Sequence, residues 1–358
     1  LWENAAKEAD MRIAIQTLGT QGDVQPFVAL GKGLRAAGFD VTLATAPQFE
    51  AFVTRHGIGF SPLPGDLVDL LQTPTGRSAV AGRNKLIASW RLLRSVRPMF
   101  RRLLDAQWAA AQGADVLVFH PKAVGGIPIA EKLGIPALLA LPLPGLSPTA
   151  AFPSPLLPVA DLGPLNRASH RLVTRYGDLA FREPVRRWSS EVLGLPATEH
   201  WLRLRGKPIP KLYAYSPAVA SLPADWDSSS IVTGYWFLDE TEHWKPSADL
   251  LAFIAAGSPP VYVGFGSLPV EDAEKTTNLV IEALRNAGQR GILATGWGGL
   301  KRREGLQDVH FIEGAPHEWL FPRMAAVVHH GGAGTTAAGL RAGRPSVICP
   351  FFGDQYFW

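Results

Sequence analysis

The stretch from Val327 to Thr336, Val-Val-His-His-Gly-Gly-Ala-Gly-Thr-Thr, sets the tightest limit on what this chain folds into. An apolar run that ends in two histidines, breaks into glycines and resumes as an alanine-rich segment has the form of a buried strand, a tight loop and a helix start. Strands that are apolar on both faces belong in parallel sheets, where helical crossovers join neighbours. The same grammar recurs in two series. Met11 to Thr17, Val41 to Ala44, Val116 to Phe119, Ala137 to Ala140, Leu212 to Tyr215 and Val232 to Trp236 form the first. Val261 to Phe265, Gly291 to Thr295, Val309 to Ile312, Ala325 to His329 and Ser346 to Pro350 form the second. The reading is an α/β chain of two doubly wound, Rossmann-like domains, for which 358 residues are ample.

Between the strands, helical spacing is clearest from Val24 to Ala37, where Phe27, Leu30, Leu34 and Ala37 share a face and Gly38 closes the helix. Glu50 to His56 and Pro128 to Leu133 read as shorter helices, and Asn166 to Leu195 as one or two, with Leu172, Tyr176, Leu179 and Val185 turned inward. Acids and turn residues at 239–247 read as a linker between a domain at 11–238 and another at 248–358. Residues 1–10 precede Met11 without the cationic and apolar blocks of a signal peptide, and read as an upstream extension.

The loop after His329 has the chemistry of an anion site. Helix N-terminal N–H groups point into such a loop, glycines let a phosphate reach the backbone, and His330, Thr335 and Thr336 add side-chain donors around Gly332 and Gly334. Ser267, at the end of Gly264-Phe265-Gly266-Ser267, offers another hydroxyl to the distal phosphate or caps a helix. Asp354 and Gln355, after the last apolar run, are a carboxylate and an amide suited to sugar hydroxyls. Diphosphate and hexose together describe a nucleotide sugar. The loop from Gly19 to Asp23 lacks the G-x-G-x-x-G spacing of a dinucleotide fold, which argues against a dehydrogenase.

Composition removes other classes. With 47% hydrophobic and 18% charged residues the chain is globular, and a net charge of +4 without a basic tract gives no support for nucleic-acid binding. One cysteine, Cys349, excludes an internal disulfide and reads as a buried structural thiol. No apolar run reaches the ~18 residues of a spanning helix. Residues 70 to 104 carry eight basic side chains and no acids, and within them Leu93, Val96, Phe100 and Leu103 face away from Arg91, Arg94 and Arg101. That segment reads as a surface helix, bordering an acceptor site or touching an anionic membrane. Leu141 to Pro164, rich in proline and apolar residues, reads as a cover over something apolar.

The run His329 to Thr336 with Asp354-Gln355 resembles the donor motif of family 1 glycosyltransferases of the GT-B fold, in particular their sterol glucosyltransferase-like branch. Gly19 to Pro26, Gly264 to Ser267 and Ala315-Pro316-His317 extend the resemblance in the same order. It implies two domains whose sheets face each other across a cleft, UDP-glucose as donor substrate, no metal or other cofactor, and a lipophilic alcohol such as a sterol as acceptor. It also implies a cytoplasmic protein with contact to the membrane surface. Asp23 matches the branch's candidate base, with Gly19, Thr20 and Gly22 in the acceptor loop. Gly314 stands where related plant enzymes stack a tryptophan on the base, leaving His317 and Trp297 as substitutes. Family members continue beyond the point matching Trp358, so the resemblance implies an incomplete C-terminal domain with weak turnover. A sugar-nucleotide epimerase and a donor-binding fragment without catalysis stay open beside the transferase.

Overall fold

The computed structural model describes residues 11–65, 99–196, 202–241, 244–266, 272–296 and 299–358. The chain divides into two compact units, Leu1–Leu238 and Asp239–Trp358. The first is built on a seven-stranded parallel sheet: β1 (Arg12–Gln16), β2 (Asp40–Thr45), β3 (Gly59–Pro62), β4 (Val116–Phe119), β5 (Ala137–Leu141), β8 (Lys211–Tyr213) and β9 (Ser230–Val232). Its spatial order is β3-β2-β1-β4-β5-β8-β9. Between β5 and β8, β6 (Arg203–Leu204) and β7 (Lys207–Pro208) make a small antiparallel hairpin. Helix α1 (Gln21–Ala36) follows β1, α2 (Glu50–Thr54) precedes β3, and α3 (Gly126–Leu133) links β4 to β5. Ile13 and Ile15 of β1 bury against Val24, Phe27 and Val28 of α1, which is what the sequence periodicity asks for.

The second unit carries five parallel strands in the order β12-β11-β10-β13-β14. They are β10 (Val261–Gly264), β11 (Gly291–Ala294), β12 (Val309–Ile312), β13 (Ala326–His329) and β14 (Ser346–Ile348), with α5 (Ala248–Ala255) before β10, α6 (Ala273–Asn286) between β10 and β11, α7 (His317–Leu320) between β12 and β13, and α8 (Ala333–Arg341) between β13 and β14. Residues 239–247, expected as linker, count with this unit. Arg341 holds Asp239 at 2.7 Å, and the rings of Trp244 and Trp319 lie 5.0 Å apart.

Three expectations need correction. The last strand of the first unit stops at Val232, short of Trp236, because Gly234 takes a positive φ of 77°. Helix α4 (Asn166–Trp188) does not bury Leu172, Tyr176 and Leu179, which are 68%, 66% and 60% exposed. Its inner face is set by Trp188, Phe181 and buried polar residues instead, so apolar periodicity pointed to the wrong side. Cys349 falls just beyond β14 and is only half-buried. Of the basic segment before residue 105, only Met99 onward is described. There Phe100 and Leu103 are buried, while Arg101 pairs with Asp105 and Glu191. Among the described residues no helix is long and apolar enough to cross a membrane.

The apolar segment after β5 is fastened by polar anchors. Asp225 accepts hydrogen bonds from the Thr149 hydroxyl (2.7 Å), the Ala150 N–H (2.9 Å) and Arg167 at the start of α4 (2.5 Å). Ser147 joins the Tyr213 and Ser230 hydroxyls, and its carbonyl accepts from Trp226. The Thr149 and Arg167 hydrogen bonds, then the Ala150 N–H, hold the Asp225 carboxyl well below the usual carboxylate range. Replacing Asp225 with Ala is expected to lower unfolding free energy by about 1–3 kcal/mol at neutral pH. Because the group is depressed, that difference exists above about pH 3.9 and shrinks as pH falls through the folded-state value. Denaturant titrations of both proteins across that range check it.

Candidate active site

Strand β1 pairs with β2 on one side and β4 on the other, so the connections leaving β1 and β4 run in opposite directions and part at their C-terminal ends. Doubly wound sheets bind ligands at such points. The loop after β1 brings Asp23 there, and the loop after β4 brings His120 and Lys122. Asp23 is not the N-cap of the helix that follows, which begins at Gln21. The cap is Thr20, and Asp23, at the third helical position, reaches back so that its Oδ2 accepts the Thr20 N–H at 2.8 Å. The carboxylate lies over Gly19, where a Cβ would come within 2.0 Å of Oδ2 and where φ is 140°. Only glycine leaves that space. Gly22 is exposed beside it.

The other carboxylate oxygen, Oδ1, accepts from the Lys122 ammonium at 2.7 Å and lies 3.9 Å from His120 Nε2. His120 Nδ1 accepts the Lys122 backbone N–H at 3.2 Å, which leaves the ring proton on Nε2, the nitrogen facing Asp23. Burial opposes ionisation of Asp23, yet the Lys122 charge, then His120, and the hydrogen bonds from Lys122 and Thr20 outweigh it and lower its pKa below 3.8. Burial and the Lys122 charge push His120 down to about 3, so it is neutral near pH 7. The site therefore holds an ionised carboxylate beside a neutral imidazole. Neither His120 nor Lys122 stands among the residues expected from the sequence at this site. The signal was present in His120 closing a strand that flanks β1.

The second unit repeats the geometry. β10 pairs with β11 and β13, and the loops after β10 and β13 meet at their ends. Gly266, at φ 65°, and Gly332 both lie against the His330 ring, where added Cβ atoms would come within 2.9 and 2.5 Å of it. Gly331 adopts φ 87°, with Ile348 and the Gln355 carbonyl filling the space of a side chain. Gly332 then caps helix α8 (Ala333–Arg341), whose first turn is open: Gly334 is exposed, and the Thr335 hydroxyl has no partner among the described residues. The Thr336 hydroxyl is not a free donor, since it is buried and bonds the Gly332 carbonyl at 3.0 Å.

Two histidines complete this loop. His329 is fully buried, its Nδ1 accepts the Gly331 N–H at 3.0 Å, and the proton thus falls on Nε2, which is buried without a partner among the described residues. His330 Nδ1 is likewise unpartnered. Burial pushes both rings, and the nearby His317, down to about 4. The loop is thus a helix N-terminus flanked by neutral imidazoles, suited to an anion. Among the described residues no cluster of three or more His, Cys, Asp or Glu is arranged to hold a metal.

The remaining expected residues fall as follows. His317 opens the short helix α7 (His317–Leu320) and stacks on Phe321 at 4.3 Å, so one ring face is already covered. A Cβ at Gly314 would meet open space. Gln355 is buried, its Oε1 accepting the Phe351 and Phe352 N–H groups at 2.7 and 3.1 Å, which leaves its NH2 as the polar end for a ligand. Asp354 accepts from Trp358 Nε1 at 2.8 Å. Ser267 and Trp297 lie outside the described residues.

Residues 13–151 match the glycosyltransferase family 28 N-terminal domain, a different numbered family from the one the motifs resemble. A sterol 3-beta-glucosyltransferase of Arabidopsis thaliana is 38% identical over 97% of this chain, and one of Aspergillus clavatus 39% identical over 97%. The chain spans 58% of the first protein's length and 25% of the second's. Among solved structures, the glycotransferase of kitacinnamycin superposes with a TM-score of 0.68 at 20% identity, covering 97% of this chain and 82% of that one. VinC, solved with DTDP, gives 0.55 at 18%, covering 97% and 83%. These likenesses define the fold as that of GT-B glycosyltransferases. Within that class the relatives that this chain resembles over 97% of its length are sterol 3-beta-glucosyltransferases.

Both oxygens of Asp23 are acceptors, and asparagine offers only one. Asp23→Asn therefore turns an NH2 against either the Lys122 ammonium or the Thr20 N–H. It is expected to lower stability by about 1–3 kcal/mol, with part of the loss recovered in Asp23→Asn/Lys122→Met. Thermal or denaturant unfolding of the two single variants and the double variant tests this; full additivity would show that the pair is not coupled.

Proposed function

We propose that this chain transfers glucose from UDP-glucose, with inversion, to the hydroxyl of a lipophilic alcohol such as a sterol. The observation that carries the reading is the Asp23 carboxylate, kept ionised at a switch point, in a chain 38% identical to a sterol 3-beta-glucosyltransferase. Oδ1 has a lone pair to accept an acceptor hydroxyl beside Lys122, which is half exposed. As the acceptor oxygen bonds the anomeric carbon, its proton passes to Asp23, and the bond from that carbon to the phosphate oxygen breaks. A carboxylate with a lowered pKa is a weak base at rest, and it takes the proton as the attacking oxygen becomes acidic in the transition state.

The leaving UDP carries the electron pair. Its charge is met in this reading by the first-turn N–H groups of α8, by Gly332 and Gly334, by the Thr335 and Ser267 hydroxyls, and by His330. Asp354 and the Gln355 NH2 take the sugar, and His317 and Trp297 the base. The acceptor lies on the loop of Gly19, Thr20 and Gly22 and on the fastened apolar segment after β5. The reading needs no metal or other cofactor.

Mass-spectrometric product detection with UDP-glucose, dTDP-glucose and a panel of sterols, flavonoids and macrolides tests it. The expected result is a hexosyl product with sterols, UDP release that requires the acceptor, and loss by orders of magnitude in Asp23→Asn/Lys122→Met relative to Lys122→Met. Acceptor-independent turnover of the donor points to an epimerase or hydrolase. Near-normal turnover in the double variant removes Asp23 from catalysis.

A further inference from the structure

Helix α4 exposes a face that nothing in the catalytic reading uses. Leu172, Tyr176 and Leu179 are each at least 60% exposed, and Leu165, 62% exposed, stands just before the helix at the same seven-residue interval. At about 100° per residue the three helical positions share an arc of roughly 60°. Beside them on one flank, by the same geometry, run Arg171, Arg175, Arg182 and Arg186, all exposed. The opposite side of the helix carries Phe181, packed on Phe100 with ring centroids 5.2 Å apart. The leucines are therefore on the solvent side of a docked helix.

The charges are one-sided. α4 carries six arginines against two acids, Asp178 and Glu183. Arg167 and Arg187 are paired with Asp225 and Glu191. The other four make no ion pair among the described residues, and they lie along the apolar stripe rather than around the helix. Asp178 is half-buried, and Glu183, exposed at the C-terminal end, is the one acid in line with the stripe. The 23 residues span about 35 Å.

We infer that α4 docks this protein on an anionic lipid surface, lying in the plane of the interface with Leu172, Tyr176 and Leu179 among the acyl chains and the four arginines against headgroup phosphates. An apolar stripe beside a cationic one, parallel along a helix, fits a planar interface with apolar interior and negative rim. A tyrosine among the leucines is in keeping with that depth. The inference leans on the glycosyltransferase reading in one respect: a sterol acceptor would be drawn from the same bilayer.

Vesicle co-sedimentation tests the surface without turnover. The protein is expected to sediment with vesicles of equal parts phosphatidylcholine and phosphatidylglycerol, not with phosphatidylcholine alone, and to be released by salt. Leu172→Gln/Leu179→Gln is expected to weaken partition by about 10-fold or more while circular dichroism stays unchanged. Arg175→Gln/Arg182→Gln/Arg186→Gln is expected to remove the salt dependence. Cys349 is the one cysteine of the sequence, so Leu172→Cys in a Cys349→Ser background takes a single environment-sensitive fluorophore. Its emission is expected to move to the blue only when anionic vesicles are added. Blue emission in buffer at all concentrations would mean that the chain covers this face itself, and a concentration-dependent shift with doubled mass would mean a second copy does; either overturns the inference, as does absence of vesicle binding. Vesicle binding without sterol transfer would remove the catalytic reading and leave the surface, and transfer without vesicle binding would do the reverse.

Discussion

The constraint on which the rest depends is the parallel pairing of one strand with neighbours on both sides. β1 lies between β2 and β4, and β10 between β11 and β13, so in each unit two connections leave adjacent strand ends in opposite directions. The divergence exposes backbone that would otherwise be covered by a crossover. Glycines at φ 140° (Gly19), 65° (Gly266) and 87° (Gly331) occupy those ends, and in each case a side chain or backbone group fills the space a Cβ would need. Fold and site thus share one cause. The glycines that close the turns also let Asp23 and His330 lie against bare backbone.

The two sites are poised in opposite senses. At the first, Lys122 keeps a carboxylate ionised against the cost of burial. At the second, burial keeps His317, His329 and His330 neutral, so the rings add no fixed positive charge there. A neutral site relies on the helix terminus for its attraction to anions, and a bound diphosphate would raise the affinity of those rings for protons. Asp23 and Lys122 form the tighter arrangement, with every close partner of the carboxylate a donor.

Much of this was legible in the sequence. Val116 to Phe119 and Val309 to Ile312 are strands with the expected bounds, because short β-branched runs between turn residues leave little choice of register. The glycine-rich loops stood out because positive φ and close approach demand that residue. Three things were not legible. Leu172, Tyr176 and Leu179 have the spacing of a buried face, and spacing alone does not tell a core from a surface that some other medium covers. Lys122 and Asp23 are 99 residues apart, and only the order β2-β1-β4 makes them neighbours. The inward turn of Gln355 depends on the Phe351 and Phe352 N–H groups needing an acceptor, which no pattern of residue types records.

The central claim is that the loop opening α8 holds a diphosphate, and one calorimetric titration addresses it most directly. UDP is titrated into the protein and into His330→Ala, with the unfolding midpoint of each recorded. The account predicts a midpoint changed by a few degrees at most and UDP affinity weaker by about 10-fold, the worth of one hydrogen bond to a charged group. Equal affinity in a folded His330→Ala protein would contradict it.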